Sequence, residues 1–283
     1  MFWSRKRNQP PRTVTCAVTV EAAEPLASLI SDVGCHRELN EDSGRIVHSG
    51  PERGLLVVVA DGMGGHQAGE VASQAAVETI GKEYGEAPGA PGPALEQAFH
   101  KAHNRIFKLA SENVSMSGMG TTCTALAIVD GQAWAAHVGD SRLYLVRGDD
   151  IYQLSEDHTQ CMEMVRRGLM TLEEARRNED RNVLSHAMGT RPELKAMFWP
   201  EPMSVRPGDR FLLCSDGLHD LVADAEMREV AQGSDAEVVC RKLIGMAKER
   251  GGYDNITVAV VSIPGSGSSP PPAKETRAFE VAG

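Results

Sequence analysis

No run of 18 consecutive apolar residues occurs anywhere in the chain, so no membrane-spanning helix is expected. The basic opening MFWSRKRNQPPR is followed by no apolar stretch, which leaves no secretory signal peptide and points to a cytoplasmic protein. A surplus of positive charge is also missing. The 29 basic residues stand against 39 acidic ones, a net charge of −10. Nucleic acid is thereby disfavoured as a partner, because phosphate backbones are held by basic surfaces. The six cysteines, at 16, 35, 123, 161, 214 and 240, form no CxxC pair and no His/Cys zinc spacing. They read as reduced, mostly buried small apolar residues. No GxxxxGK[ST] phosphate loop is present, and no internal repeat recurs at 20–50 residues.

Two ends differ from the middle. Residues 1–12 form a basic extension, and residues 264–283 are a Gly/Ser/Pro-rich segment expected to be a flexible tail. Residues 13–263 are expected to form one domain. Strand signals dominate it: an alternating TVTCAVTV (13–20), a continuous apolar LLVVVA (55–60), and a close succession over 121–129, 132–138, 141–147 and 150–154 separated by DG, GD and GDD turns. Two more strands are expected at 210–215 and 255–263. Helical periodicity marks 69–84, 94–110, two short pieces within 160–177, and 235–250. Grouped antiparallel strands, with helices not interleaved one for one, predict an α+β fold: a central β-sandwich of two antiparallel sheets flanked by helices.

The stretch VVVADGMGGHQAGEVAS (57–73) mimics a nucleotide-binding turn, but Asp61 stands where a phosphate would be repelled. The same pattern recurs. LLVVVA ends at Asp61-Gly62, RFLLCS ends at Asp216-Gly217, HVGDSR places Asp140 at a strand junction, and Asp254 precedes the last strand. NED (40–42) adds Glu41 and Asp42. One Asp beside a Gly is an ordinary turn residue. Several at the ends of neighbouring buried strands bring carboxylates together, and such carboxylates must be protonated or bound to a cation. Hard oxygen donors without His or Cys point to Mg²⁺ or Mn²⁺.

RELNED, VADGMGGHQAGEVAS, GTT, HVGDSR, EDHT, RNVLSHAMGT, LLCSDGL and GGYDNITV follow one another in the order of the motifs of bacterial PP2C-type (PPM family) serine/threonine phosphatases. The chain resembles that family from about Asp32 to Val261. The resemblance implies a metal-dependent phosphatase that hydrolyses phosphoserine and phosphothreonine on proteins, by direct attack of a hydroxide bridging two Mn²⁺ or Mg²⁺ ions. A third, weaker ion occurs in several bacterial members.

Position by position, the resemblance implies that Asp61 bridges the two ions, with the Gly62 carbonyl a further ligand, and that Asp216 and Asp254 bind directly. Asp42 would hold bound waters, with Glu41 a weaker candidate, and Asp140 would help bind the third ion. Arg37 would grip the substrate phosphate. Eukaryotic relatives carry a histidine, proposed as general acid, where this chain has Met63; His66 is the nearest imidazole. Asn255 is expected to orient the Asp254 turn and His158 to be a structural anchor. The Arg-rich segment from Thr159 to about Asn182 corresponds to the family's flap. Phosphorylated proteins, a cognate Hanks-type Ser/Thr kinase, no nucleic acid and a monomeric state complete the expectation. A partner-binding scaffold without metal, a hydrolase of small phosphoesters, and a phosphatase of an anti-sigma-antagonist protein remain as rivals.

Overall fold

The computed structural model describes residues 25–64, 67–233 and 235–264. The strand expected over 13–20, the basic extension, the tail beyond residue 264 and His66 therefore lie outside the described residues. The chain begins with β1 (Leu26–Asp32), β2 (Asp42–His48) and β3 (Leu55–Met63), then two long helices, α1 (Gln67–Glu86) and α2 (Pro91–Glu112). A two-residue β4 (Gly120–Thr121) leads into the meander β5 (Cys123–Val129), β6 (Gln132–Val138), β7 (Arg142–Arg147) and β8 (Asp150–Gln153). Short helices α3 (Gln160–Arg166) and α4 (Leu172–Arg177) follow, then β9 (Met197–Phe198), β10 (Met203–Ser204) and β11 (Arg210–Cys214). The last elements are α5 (Asp216–His219), α6 (Asp224–Ala231), α7 (Ala236–Glu249) and β12 (Ile256–Ser262).

All strand pairings are antiparallel. One sheet runs β1-β12-β11-β7-β8 and the other β10-β6-β5-β3-β2, with β9 joined to β6 and β4 to β3. The apolar run of β3 shows why two sheets and two helix layers form. Leu55, Val57 and Val59 point between the sheets, against Leu126, Leu143, Phe211, Leu213 and Ala259. Leu56, Val58 and Ala60 point the other way, against Ala72, Ile80, Tyr84 and Phe99 of α1 and α2. A strand covered on both faces has no polar side to show. The outer face of the other sheet (Tyr144, Leu212, Val258, Val260) is closed by Met227, Val239 and Leu243 of α6 and α7. The expected sandwich flanked by helices is what the structure contains.

Several details differ from the sequence expectation. Strands β1 and β2 carry no clean alternation: both are edge strands whose residues are mostly half-buried. The strand expected over 121–129 breaks at Thr122, whose backbone N–H turns aside to donate to the Asp61 carbonyl at 2.8 Å.

The register places the acidic residues. In the β2–β3 ladder Asp42 lies directly opposite Asp61. Asp61 has the parity of Val57 and Val59, so it continues the face that lines the seam between the sheets. Asp216 follows β11 and Asp254 precedes β12, two neighbouring strands of the other sheet. Antiparallel pairing brings the end of one strand beside the start of the next, so all these ends meet at one end of the seam.

Phe211 is fully buried within that seam. Phe211→Ala is expected to cost about 3–5 kcal/mol in urea unfolding, and a loss below about 1 kcal/mol would show a seam far more loosely packed than described.

Candidate metal centre

Asp61 sits on a rigid piece of backbone. Its N–H donates to Thr122 Oγ1 at 2.9 Å, and its carbonyl accepts from Thr121 Oγ1 and from the Thr122 N–H, both at 2.8 Å. The next N–H, of Gly62, donates to the Glu41 carbonyl at 3.1 Å. Gly62 has no room for a side chain: a Cβ there would collide with the carbonyls of Gly69 and Glu41. Helix α1 thus packs directly onto the Asp61-Gly62 backbone.

Around Asp61 the other acids take whatever partners are near. Asp42, fully enclosed, accepts from Ser215 Oγ at 2.7 Å, and Ser215 Oγ in turn accepts the Thr257 N–H at 3.0 Å. This joins the two sheets. Among the described residues, Asp216 Oδ2 has only a long 3.4 Å contact from Asn182 Nδ2. Asp254 Oδ2 receives Nη2 of Arg37 at 2.8 Å, while Oδ1 accepts the N–H of Asn255. Asp140 is buried at the β6–β7 junction, and its carbonyl contacts His219 Nε2 at 3.0 Å.

Electrostatics identify these residues as one cluster. Burial, then the charges of Asp42, Asp216, Asp140 and Asp254, hold the Asp61 carboxyl well above the usual carboxylate range. Asp61 and Asp216 keep some open surface, but protein atoms crowd both. Burial pushes Asp42 up to about 7, against the hydrogen bonds it receives from Ser215 and Thr257. Burial and then Asp216 push Asp140 up to about 7. Asp216 and Glu41 are raised as well, burial first.

Among the described residues, no three acidic or imidazole groups stand close enough to hold an ion as placed. Carboxylates brought this near repel one another unless protonated or matched by a cation. The donor set nevertheless fits a hard divalent cation. Buried oxygens of Asp42, Asp216 and Glu41 have no hydrogen-bond partner, and the set contains oxygen donors and no thiolate. An ion is the partner that offsets such repulsion.

Asp42, Asp61, Gly62, Asp140, Asp216 and Asp254 are therefore brought together, with Arg37 beside Asp254. Asn255 behaves as expected of a turn-orienting residue. Its Oδ1 accepts the Glu41 N–H at 2.8 Å, and its Nδ2 donates to the Val33 and Leu39 carbonyls at 3.0 and 2.9 Å. His158 is an anchor: its N–H donates to the Gly139 carbonyl at 2.7 Å and its Nδ1 accepts the Gly139 N–H at 3.2 Å.

The Thr159–Asn182 segment contains α3 and α4, each capped by a threonine. Arg166, Arg167 and Arg177 pair with Glu156, Glu163 and Glu173, whereas Arg181 reaches Asp220 at 3.0 Å. Sequence reasoning assigned no role to Ser215, Thr121, Thr122 or Asn182. All four lie inside quoted motifs, the first three in LLCSDGL and GTT and Asn182 in RNVLSHAMGT, so a signal was present for each.

A sequence profile described as protein phosphatase 2C matches residues 36–243. The protein phosphatase PhpP of Streptococcus pneumoniae is 35% identical over 242 residues, covering 83% of this chain and 96% of that protein. The serine/threonine protein phosphatase PstP of Mycobacterium tuberculosis is 36% identical over 234 residues, 82% of this chain and 44% of PstP. Among solved structures, the S. agalactiae serine/threonine phosphatase superposes with a TM-score of 0.78 at 31% identity, covering 84% of this chain and 99% of that one. The catalytic domain of PstP in complex with two manganese ions superposes at 0.74 with 33% identity, covering 85% and 98%.

The raised carboxyls fix the sign of a pH effect. A carboxyl protonated in the folded chain but ionised in the unfolded one means the unfolded state binds fewer protons, so stability falls as pH rises through the folded value. Buried His137 and His158, lowered to about 4 and about 3 mainly by burial, act in the opposite sense, but only below about pH 6.5. Metal-stripped protein is therefore expected to lose about 4 °C or more in Tm between pH 6.5 and 8, and saturating Mn²⁺ to remove most of that slope. A Tm that rises with pH over this window would contradict the assignment.

Proposed function

The chain belongs to the protein phosphatase 2C family, and on that premise we propose that it hydrolyses phosphoserine and phosphothreonine on proteins at the carboxylate cluster around Asp61. The observation that carries this reading is the convergence of Asp42, Asp61, Asp140, Asp216 and Asp254 on one end of the sandwich seam, with orphaned buried oxygens. Asp61, Asp216 and Asp254 would hold a pair of Mn²⁺ or Mg²⁺ ions, which would supply Lewis acidity toward a phosphate ester and lower the pKa of water there toward neutral pH. Asp140 would help to hold a third, weaker ion.

The chain's own residues do the rest. The Asp61 backbone is preset by Thr121 and Thr122, so the point from which its carboxylate reaches out is fixed before substrate arrives. Asp42, fixed by Ser215, presents its free Oδ1 to the cluster as an acceptor for a bound water. Arg37 is half exposed, and among the described residues only its Nη2 is engaged. Its remaining N–H groups can grip a phosphate in the planar, bidentate manner that guanidinium allows. A carboxylate on one side of Arg37 and solvent on the other leaves the phosphate between the cluster and the approaching protein substrate. Met63 has no proton to give a leaving alkoxide.

The catalytic unit is taken to span residues 13–263, and the cognate kinase to be of Hanks type. No helix among the described residues is long and apolar enough to cross a membrane.

Phosphate release from a phosphothreonine peptide by metal-stripped protein is expected to appear on titration with Mn²⁺ and to fall at least 100-fold in Asp216→Asn. Arg37→Ala is expected to lower kcat/KM about tenfold or more through loss of a charged contact. No release from a folded protein at any Mn²⁺ concentration would favour a scaffold instead, and equal turnover of free phosphorylated metabolites would favour a small-molecule phosphatase.

A further inference from the structure

Beside the Arg37–Asp254 pair lies a feature that the reaction itself does not use. The residues immediately preceding these two in sequence, His36 and Tyr253, also meet: their rings stack with centroids 5.1 Å apart and planes tilted by 30°. Tyr253 is 63% exposed, although it belongs to a tightly laced part of the molecule. The Cys35 N–H donates to the Gly252 carbonyl at 2.8 Å, and Asn255 ties the 33–41 loop down by three bonds. Two glycines make room for the arrangement. A Cβ on Gly251 (φ +120°) would run into the Tyr253 ring, and one on Gly252 (φ +55°) would press on Cys35 Sγ. Tyr253 thus lies against Gly251, with its ring tilted beside that of His36.

An aromatic side chain that is both held in place and exposed forms a preformed contact surface, with little left to order on binding. We propose that His36 and Tyr253 form a shelf that receives the side chain next to the phosphorylated residue of a substrate protein, and that the shelf selects an aromatic or proline ring at that place. The position follows from continuity: the shelf is one residue removed, on both loops, from the guanidinium that grips the phosphate. The chemistry follows from its make-up. A flat ring face favours another ring by offset or edge contact, and the nearby Arg37 guanidinium turns away a basic side chain. This subsite rests on the phosphoprotein reading of the same centre.

The test uses full-length, Mn²⁺-loaded enzyme and short phosphothreonine peptides. They carry Phe, Pro or Gly on the N-terminal side of the phosphothreonine in one series and on the C-terminal side in another. In one of the two series the ratio of kcat/KM for the Phe or Pro peptide over the Gly peptide is expected to reach about five to ten, the scale of one aromatic contact. That ratio is expected to drop to about one in Tyr253→Ala, to be retained in Tyr253→Phe, and to be carried by KM rather than kcat. A ratio of one in both series for the unmodified enzyme, or a ratio that Tyr253→Ala leaves unchanged, would overturn the shelf. Absence of Mn²⁺-dependent release from every peptide is a different failure, that of the phosphatase reading itself.

Discussion

Repulsion among carboxylates gathered at one end of a closed seam is the constraint on which the rest of this structure depends. Asp42 and Asp61 face each other across a strand pair, Asp216 and Asp254 come from two neighbouring strands of the opposite sheet, and Asp140 closes the ring from a strand junction. Charges drawn out of water at this spacing are unfavourable by several kcal/mol unless protonated or matched. A fold can keep them only if something compensates. Here the local partners are few: Ser215 for Asp42, Arg37 for Asp254, a distant amide for Asp216. A divalent cation is the remaining compensation, and the oxygens without partners are where it is wanted.

The scaffold is organised to hold that tension. Sandwich and helices bury both faces of β3, and its apolar run leads directly into Asp61. Two threonines then clamp the Asp61 backbone, and the missing side chain of Gly62 lets α1 close directly over it. On the opposite sheet Asn255 performs the matching task, tying the loop that carries Arg37 and Glu41 to the turn that carries Asp254. Polar side chains buried at this end work as positioning groups rather than as sources of stability, in keeping with the small net value of individual hydrogen bonds. The shelf of His36 and Tyr253 is built from the same lacing, so the feature that fixes the phosphate grip also fixes what lies next to it.

Much of this was legible in the sequence because its signals are local. The apolar run of β3 and the meander from residue 121 onward announce strands by composition alone, and each key aspartate stands directly beside such a run. The edge strands β1 and β2 were not legible, because half-exposed edges carry no alternation to read. The break at Thr122 depends on a bond to Asp61, 61 residues away. Ser215, Thr121 and Thr122 lay within recognisable motifs, but their tasks are long-range contacts that spacing does not encode. Asn182 and Tyr253 also lay within quoted motifs, but the Asn182–Asp216 and His36–Tyr253 contacts were not legible, since each arises only when two distant loops are folded together.

The most direct measurement is isothermal titration of metal-stripped protein with Mn²⁺ in buffers of different ionisation enthalpy, near pH 6.5, which counts both ions bound and protons released. The account predicts at least two ions per chain, net release of protons as the raised carboxyls surrender them, and loss of the tight sites in Asp61→Asn. Binding that releases no protons, or that survives Asp61→Asn unchanged, would contradict it.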